Sequence, residues 1–256
     1  MITDPYFYLC AIPAVLIFGM AKGGFGGAIA VVSVPIMALV ISPVQAAAIL
    51  LPLLLVMDAV ALWSFRGQWH SQNLRIMLPA AVAGIIAGAL FFRYLSEDAV
   101  RILIGLMSLA FCLNYVITTI KHGNDSPAQA PNRLKGSFWA AISGFTSFGI
   151  HAGGPPANIY LLPQKLEKTL LMGTFAVFFA AVNALKVIPY AWLGQFDHTN
   201  LMTSLILLPA APVGVRLGYF LLHRVSQLLI YRICYFFLAI ASIKLLHDGF
   251  SNILSN

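Results

Sequence analysis

The sequence predicts an all-α polytopic membrane protein of two inverted repeats, each with a broken or re-entrant helix pair plus three transmembrane helices. Three observations predict it: an apolar composition, a duplicated pattern, and a glycine-rich interruption in each half. Of the 256 residues, 60% are hydrophobic and 9% are charged, and the mean hydropathy is +0.88. Soluble domains carry about 25% charged residues, so this composition excludes them. An outer-membrane barrel would alternate apolar and polar residues in segments of about ten.

Short segments of the first half recur in the second half at nearly constant spacing. RGQWH at 66–70 corresponds to LGQFD at 193–197, and LPAAVAGIIAG at 78–88 corresponds to LPAAPVGVRLG at 208–218. Such ordered matches predict a duplication. The predicted units are a first transmembrane repeat over 1–120, a polar cytoplasmic linker over 121–132 and a second, inverted repeat over 133–256, which together form one transport unit.

Each half contains apolar segments of the length that enters or crosses a hydrocarbon core, for which a full span needs about 20 residues. Two short segments open each half, and three longer ones follow. In the first half they are predicted at 5–21, 26–41, 44–65, 74–95 and 98–120. In the second half they are predicted at 133–148, 153–163, 168–193, 200–222 and 225–247.

Basic residues fall on opposite sides of the two halves. The loop at 66–75 holds Arg66 and Arg75, whereas its counterpart at 194–203 holds no Lys or Arg. Since Lys and Arg favour the cytoplasmic side, equivalent loops with opposite charge bias indicate that the halves are inverted. This orientation places both termini in the periplasm of a bacterial inner membrane. It also explains the net charge of +7 without a nucleic-acid partner.

A glycine-rich break interrupts the apolar pattern once in each half. KGGFGG at 22–27 and GIHAGGPP at 149–156 oppose a continuous helix, because glycine and proline are the poorest helix formers. A helix that begins after a break presents unpaired N–H groups and the positive end of its dipole to an anion. Glycine lets a ligand approach this backbone closely. Paired breaks in inverted halves indicate the central site of a transporter.

Ionisable groups within the apolar segments extend the predicted site, because such groups inside a membrane are costly and are functional by default. Asn183 lies one helical turn before Lys186, and Asp58 occupies nearly the position that corresponds to Lys186 in the other half. Asp58 is expected either to couple transport to protonation or to form a structural ion pair with Lys186. The predicted substrate-binding residues are Lys22, Gly23, Gly24, Gly26, Gly27, His151, Gly153, Gly154, Asn183 and Lys186.

Several of these residues also have a structural interpretation. Lys22 near a membrane interface would extend toward the lipid headgroups, and His151 would be a hydrogen-bonded interior histidine. GxxxG patterns within 19–27, 84–88 and 214–218 let helices pack closely. We favour this packing interpretation for the last two patterns.

The length, the two-fold repeat and the breaks KGGFGG and GIHAGGPP resemble the sulfite exporter TauE/SafE family of integral membrane transporters. The resemblance spans essentially the whole chain. It implies movement of sulfite, sulfonates or other small organic anions across the inner membrane, with export as the expected direction.

The expected function is therefore a secondary transporter of a small anion that works by alternating access around the two breaks. The alternatives are an anion channel, a membrane assembly-accessory protein, and an intramembrane hydrolase that uses Ser147, His151 and Asp58.

The sequence contains no P-loop, and its three cysteines lack metal-ligand spacing. No enzyme activity, metal or cofactor is expected. The expected partners are a small anionic substrate and the lipid bilayer, and a homodimer is left open.

Overall fold

The computed structural model of the protein consists of helices joined by turns. It describes residues 1–25, 29–121, 128–221, 224 and 227–255, and none of them lies in a strand. The α-helices are α1 (Pro5–Met20), α2 (Ser33–Met37), α3 (Pro43–Ser64), α4 (Ser71–Phe92), α5 (Glu97–Lys121), α6 (Arg133–Ile150), α7 (Gly154–Leu161), α8 (Lys168–Trp192), α9 (His198–Leu207), α10 (Ala210–Leu221) and α11 (Gln227–Ser255). A π-helical turn at Ala21–Phe25 extends α1, and 3₁₀ turns at Ala30–Val32 and Leu162–Gln164 adjoin α2 and α7. The predicted all-helical class is confirmed.

Local sequence signals set the starts of the long helices. The Asp4 side chain accepts a hydrogen bond from the backbone N–H two residues further on, at 2.9 Å, and Pro5 begins α1. At the start of α3, Ser42 Oγ accepts from the backbone N–H three residues further on, and Pro43 begins the helix. A capping oxygen satisfies a free N–H of the first turn, where the missing N–H of proline costs no hydrogen bond.

One predicted helix is wrong. The sequence predicts a single segment over 200–222, but α9 ends at Leu207 and α10 begins at Ala210, with a bend of 42° between them. Pro209 lies at this break, where its missing N–H and its ring disfavour a continuous helix. Pro79 lies inside α4 without ending it, so the surroundings of each proline decide between a bend and a break.

Six helices in the described part of the chain are long and apolar enough to cross a membrane, and the bent pair of α9 and α10 would make seven. The six candidate spans are Pro5–Phe25, Pro43–Ser64, Ser71–Phe92, Glu97–Ile117, Lys168–Trp192 and Arg232–Leu254. They include the three longer segments predicted in the first half. The protein is therefore a multi-pass membrane protein.

The helices of the two halves pack on each other. α1 packs on α10 and α6 packs on α4, while α3 contacts α8 and α5 contacts α11. In the predicted repeat, α1 corresponds to α6, α3 to α8, α4 to the pair of α9 and α10, and α5 to α11. Replacing every helix by its counterpart gives the same set of contacts, as a two-fold relation requires. The inversion of the repeats and the boundaries of the units remain predictions, and residues 122–127 of the linker lie outside the described residues. α3 and α8 are the most buried candidate spans, so the centre of the protein lies between them.

Glycines lie where some of these helices contact each other's backbone. A Cβ added to Gly84 would lie 2.9 Å from the Phe145 nitrogen of α6, and one added to Gly214 would lie 2.9 Å from the Leu16 oxygen of α1. Real Cβ atoms essentially never come closer than 3.0 Å to such backbone atoms. The packing interpretation of the 84–88 and 214–218 patterns is confirmed.

Gly84→Val should destabilise the protein, because its side chain has to displace the backbone of α6. Overpacking of this kind typically costs about 1–3 kcal/mol. The measurement is thermal unfolding in detergent, followed by size-exclusion chromatography of the heated protein. Ala87→Val is the matched control, because Ala87 lies on the exposed face of the same helix. Equal unfolding temperatures for the two variants would contradict the packing role of Gly84.

Candidate functional site

A small cavity lies between α3 and α8, where α1 and α6 end and α7 begins. Its volume is about 30 Å³, which is room for on the order of two water molecules. Its polar wall consists of Lys22, Asp58, Ser147, His151, Gly154 and Asn183. The remaining wall is mostly apolar and includes Phe18, Phe175 and Phe179. Few water dipoles can therefore screen the charges around it.

Hydroxyl groups of α6 hold the second break in place. Ser143 Oγ donates to the Gly153 carbonyl oxygen at 2.7 Å, and Thr146 Oγ1 donates to the Ala152 carbonyl oxygen at 3.0 Å. His151 caps α6 in the left-handed conformation with a φ of 54°, which residues other than glycine seldom adopt. The surrounding hydrogen bonds maintain this conformation, and it directs the imidazole to the cavity wall.

Lys186 of α8 is fully buried among neutral acceptors. Its Nζ lies 2.9 Å from the Ser147 carbonyl oxygen, 3.0 Å from Ser147 Oγ and 2.7 Å from His151 Nδ1. Three acceptors match the three N–H groups of an ammonium ion. Among the described residues, no carboxylate lies within 4.0 Å of this nitrogen. A buried charge is costly unless an opposite charge offsets it, so this ammonium ion favours an anion nearby.

The two ring nitrogens of His151 have distinct roles. Nε2 lies 2.9 Å from the Ala47 carbonyl oxygen, which can only accept, so Nε2 carries the proton. Nδ1 then accepts from the Lys186 ammonium group. The ring of Tyr190 stacks on the imidazole with centroids 6.1 Å apart. The neutral imidazole thus orients Lys186 and keeps no nitrogen free.

Asp58 of α3 pairs with Lys22. Lys22 Nζ contacts Asp58 Oδ1 in an ion pair, and Asn183 Nδ2 donates to Asp58 Oδ2 at 2.6 Å. The expectation that Asp58 forms its ion pair with Lys186 is wrong, because the π-helical turn after α1 brings Lys22 to the carboxylate. The Lys22 side chain is 10% exposed, which also excludes an extension toward lipid headgroups.

The site carries an excess of positive charge. Lys22 and Lys186 contribute two cations, Asp58 contributes one anion, and His151 is neutral, so the formal net charge is +1. Lys22 Nζ also lies 5.9 Å and 5.8 Å from the ring centroids of Phe18 and Phe179. Aromatic faces attract a cation at such distances, but they do not neutralise it.

Two further donors face the cavity. Ser147 lines the cavity and its Oγ accepts from Lys186; among the described residues, no hydrogen bond uses its hydroxyl hydrogen, which can therefore serve a ligand. In the described part of the chain, no hydrogen bond uses the N–H of Gly153 or Gly154. Gly154 lines the cavity at the start of α7, where the helix dipole is positive. Pro155 and Pro156 have no N–H, so Gly154 supplies the available backbone donor of this first turn.

The structure brings most of the predicted side chains together. Those that line the cavity are Lys22, Asp58, His151 and Asn183, with the backbone of Gly154. Lys186 lies behind this wall and reaches the cavity through Ser147 and His151.

Three of the other predicted glycines, Gly23, Gly24 and Gly153, do not line the cavity. Gly23 packs against α10, and Gly153 packs against α6. Gly24 is buried outside the lining. Gly26 and Gly27 lie outside the described residues, so their predicted role stays a prediction.

Sequence reasoning missed the connecting role of Ser147, which it considered only as a nucleophile. Ser147 and His151 are four residues apart at the end of a helix, so they share one face, and this spacing could have indicated a joint role. The Ala47 carbonyl and the rings of Phe18 and Phe179 carry no comparable sequence signal.

Comparison with known proteins yields one match. The family model described as sulfite exporter TauE/SafE matches residues 11–245. No curated protein and no solved structure matches the chain.

Proposed function

Because this chain belongs to the sulfite exporter TauE/SafE family of membrane transporters, we propose that it exports a small anion by alternating access around its two helix breaks. The proposed substrates are sulfite, a sulfonate or a related small organosulfur or organic anion. Transport is secondary, because no nucleotide-binding motif occurs in the sequence.

The buried Lys186 ammonium group is the observation that carries this proposal. All three of its hydrogen bonds go to neutral acceptors, and the only carboxylate lining the described cavity, that of Asp58, pairs with Lys22. An anion in the cavity would offset the remaining charge, and little water is present to compete with it. The same ammonium group would repel a cation, so the site selects for negative charge.

The donors around the cavity suit an oxyanion. Ser147, Gly154 and Lys22 line one small volume, and each of them carries an O–H or N–H donor. A sulfur oxyanion has several oxygens that can accept from such donors at once. The volume of about 30 Å³ argues against bulky substrates.

The location of the cavity supports a carrier mechanism. Its wall combines α1 and α3 of the first predicted repeat with α6, α7 and α8 of the second. Transporters with inverted repeats bind substrate at the repeat interface and expose it alternately by movement of one part against the other. We propose that the two repeats form such a unit in a bacterial inner membrane, with both termini in the periplasm.

The geometry does not favour the hydrolase alternative. His151 uses one nitrogen on Ala47 and the other on Lys186, so neither is left to accept the Ser147 proton. Asp58 contacts Lys22 and Asn183 and does not orient the imidazole. The relay that a serine hydrolase needs is not formed by these three residues.

Anion binding should raise the unfolding temperature of the purified protein, because a ligand of the folded state stabilises it by mass action. The test compares sulfite, sulfate and methanesulfonate with dimethyl sulfone, which has a similar shape and no charge. A ligand at about 100 times its Kd should add about 2.7 kcal/mol. An equal effect of dimethyl sulfone, or no effect of any anion, would reject an anion site.

Flux into proteoliposomes then distinguishes a carrier from a channel. A proton-coupled carrier should accumulate the bound anion against its gradient when a pH gradient is imposed, whereas a channel equilibrates it. Dissipation of the pH gradient with a protonophore is the control.

A further inference from the structure

We infer that Asp58 links proton uptake to the charge of the transported anion: a dianion binds with one more proton than a monoanion, and Asp58 accepts that proton. The inference rests on the proposed function, because it concerns the same cavity. It adds the coupling ion and a rule for which anions require it.

The net charge of the site determines which anions it can neutralise. With Lys22 and Lys186 charged, Asp58 ionised and His151 neutral, a monoanion brings the site to neutrality. A dianion would leave one uncompensated negative charge in a small, mostly apolar cavity. Uncompensated buried charge costs several kcal/mol, so a dianion should bind only after the site gains a proton.

The hydrogen bonds around the cavity identify the group that gains this proton. The titratable groups that face Asp58 are Lys22 of the π-helical turn, His151 at the end of α6 and Lys186 of α8. The three acceptors around Lys186 Nζ and the ion pair of Lys22 are the contacts of protonated lysines, and both ring nitrogens of His151 are used in hydrogen bonds. The Asp58 carboxylate is the remaining acceptor.

The two oxygens of this carboxylate are not equivalent. Asn183 donates to Oδ2 at 2.6 Å, and this bond can persist when the acid is neutral. Oδ1 faces Lys22, so a proton there ends the ion pair. Protonation thus frees the Lys22 ammonium group for the anion and turns Oδ1 into an additional donor.

The two classes of anion therefore use the cavity differently. A monoanion is held by Ser147 and Gly154 while the Lys22–Asp58 ion pair stays intact. A dianion engages Lys22 as well, in place of the Asp58 carboxylate. Asp58 is in this sense a specificity-determining residue as well as the proton acceptor.

Sulfate and methanesulfonate test this inference, because they have the same tetrahedral shape and differ by one charge. Isothermal titration calorimetry in two buffers of different ionisation enthalpy gives the number of protons taken up with each anion. The wild-type protein should take up about one more proton with sulfate, so its affinity for sulfate relative to methanesulfonate should rise about tenfold for each unit by which the pH falls. The comparison cancels any proton uptake that both anions share.

The Asp58→Asn variant should lose this difference between the two anions, while Asp248→Asn should retain it, because Asp248 pairs with Lys244 of α11 and does not line the cavity. Equal proton uptake in the wild-type protein, or a difference that persists in Asp58→Asn, would overturn the inference. Methanesulfonate binding without sulfate binding at any pH would overturn it too and leave the proposed function standing. Failure of both anions to bind the wild-type protein would reject the proposed function itself. If Asp58→Asn does not fold, the Lys22→Met, Asp58→Leu double variant takes its place, and a difference in proton uptake that persists in it would overturn the role of Asp58.

Discussion

Lys186→Met should abolish anion binding and transport while the protein stays folded. The substitution removes a buried ammonium group whose hydrogen bonds all go to neutral acceptors, and with it the group that donates to the Ser147 hydroxyl oxygen. Truncating a buried, hydrogen-bonded charge that meets a ligand charge costs about 2–5 kcal/mol, so the affinity should fall at least about thirtyfold. The measurement is anion binding by calorimetry, followed by flux into proteoliposomes.

Methionine is chosen because it fills a similar volume and leaves no charge behind. The acceptors on Ser147 and His151 lose their donor, which costs about 1–3 kcal/mol of stability and leaves the fold intact. Lys168→Met is the control, since Lys168 lies exposed at the start of the same helix and should leave binding unchanged. Wild-type affinity in Lys186→Met would remove the basis of the proposed anion site.

Asp58→Leu should strongly destabilise the protein, whereas the Lys22→Met, Asp58→Leu double variant should recover most of the lost stability. Breaking a buried ion pair leaves one charge uncompensated and costs about 3–5 kcal/mol, while replacing both partners by apolar residues is often neutral. The Lys22 and Asp58 side chains are 10% and 4% exposed, so this cost should apply. Thermal unfolding of the wild-type protein, both single variants and the double variant gives the coupling free energy.

The same set of variants separates structure from function. If the ion pair only held the helices together, the stable double variant would transport normally. We expect it to be folded and to have lost proton-coupled transport of dianions. Normal coupling in the double variant would show that the pair is structural. Glu97→Gln, which removes the exposed partner of Arg101, is the control for loss of an ion pair, and its effect should not exceed about 1 kcal/mol.

Much of the architecture could be predicted because it depends on local sequence and on the bilayer. The apolar run that contains Asp58 is long enough to span, and the structure has a helix at Pro43–Ser64. The break at GIHAGGPP ends α6 at Ile150 and starts α7 at Gly154. The local sequence predicts this helix and this break, because an apolar run must be helical in lipid and because proline and glycine weaken a helix wherever they occur.

The partners within the site could not be predicted in this way. Asp58 and Lys186 correspond in the repeat, so the sequence suggested that they pair, but the carboxylate lies against Lys22. The choice depends on how far the π-helical turn rotates Lys22 inward and on which residue of α8 faces α3. Neither is a property of a single segment.

The sequence alone therefore determined the membrane class, the family resemblance, most of the long helices and the positions of the two breaks, because hydrophobic length, glycine and proline act locally. It also singled out the charged side chains, since a charge inside an apolar membrane segment is costly and marks a functional or structural site. Only the tertiary structure decided that Lys22 neutralises Asp58 and that Ser147 connects Lys186 to the cavity. Those contacts depend on the rotation and packing of helices distant in the chain, and a charge pairs with the side chain that packing places beside it.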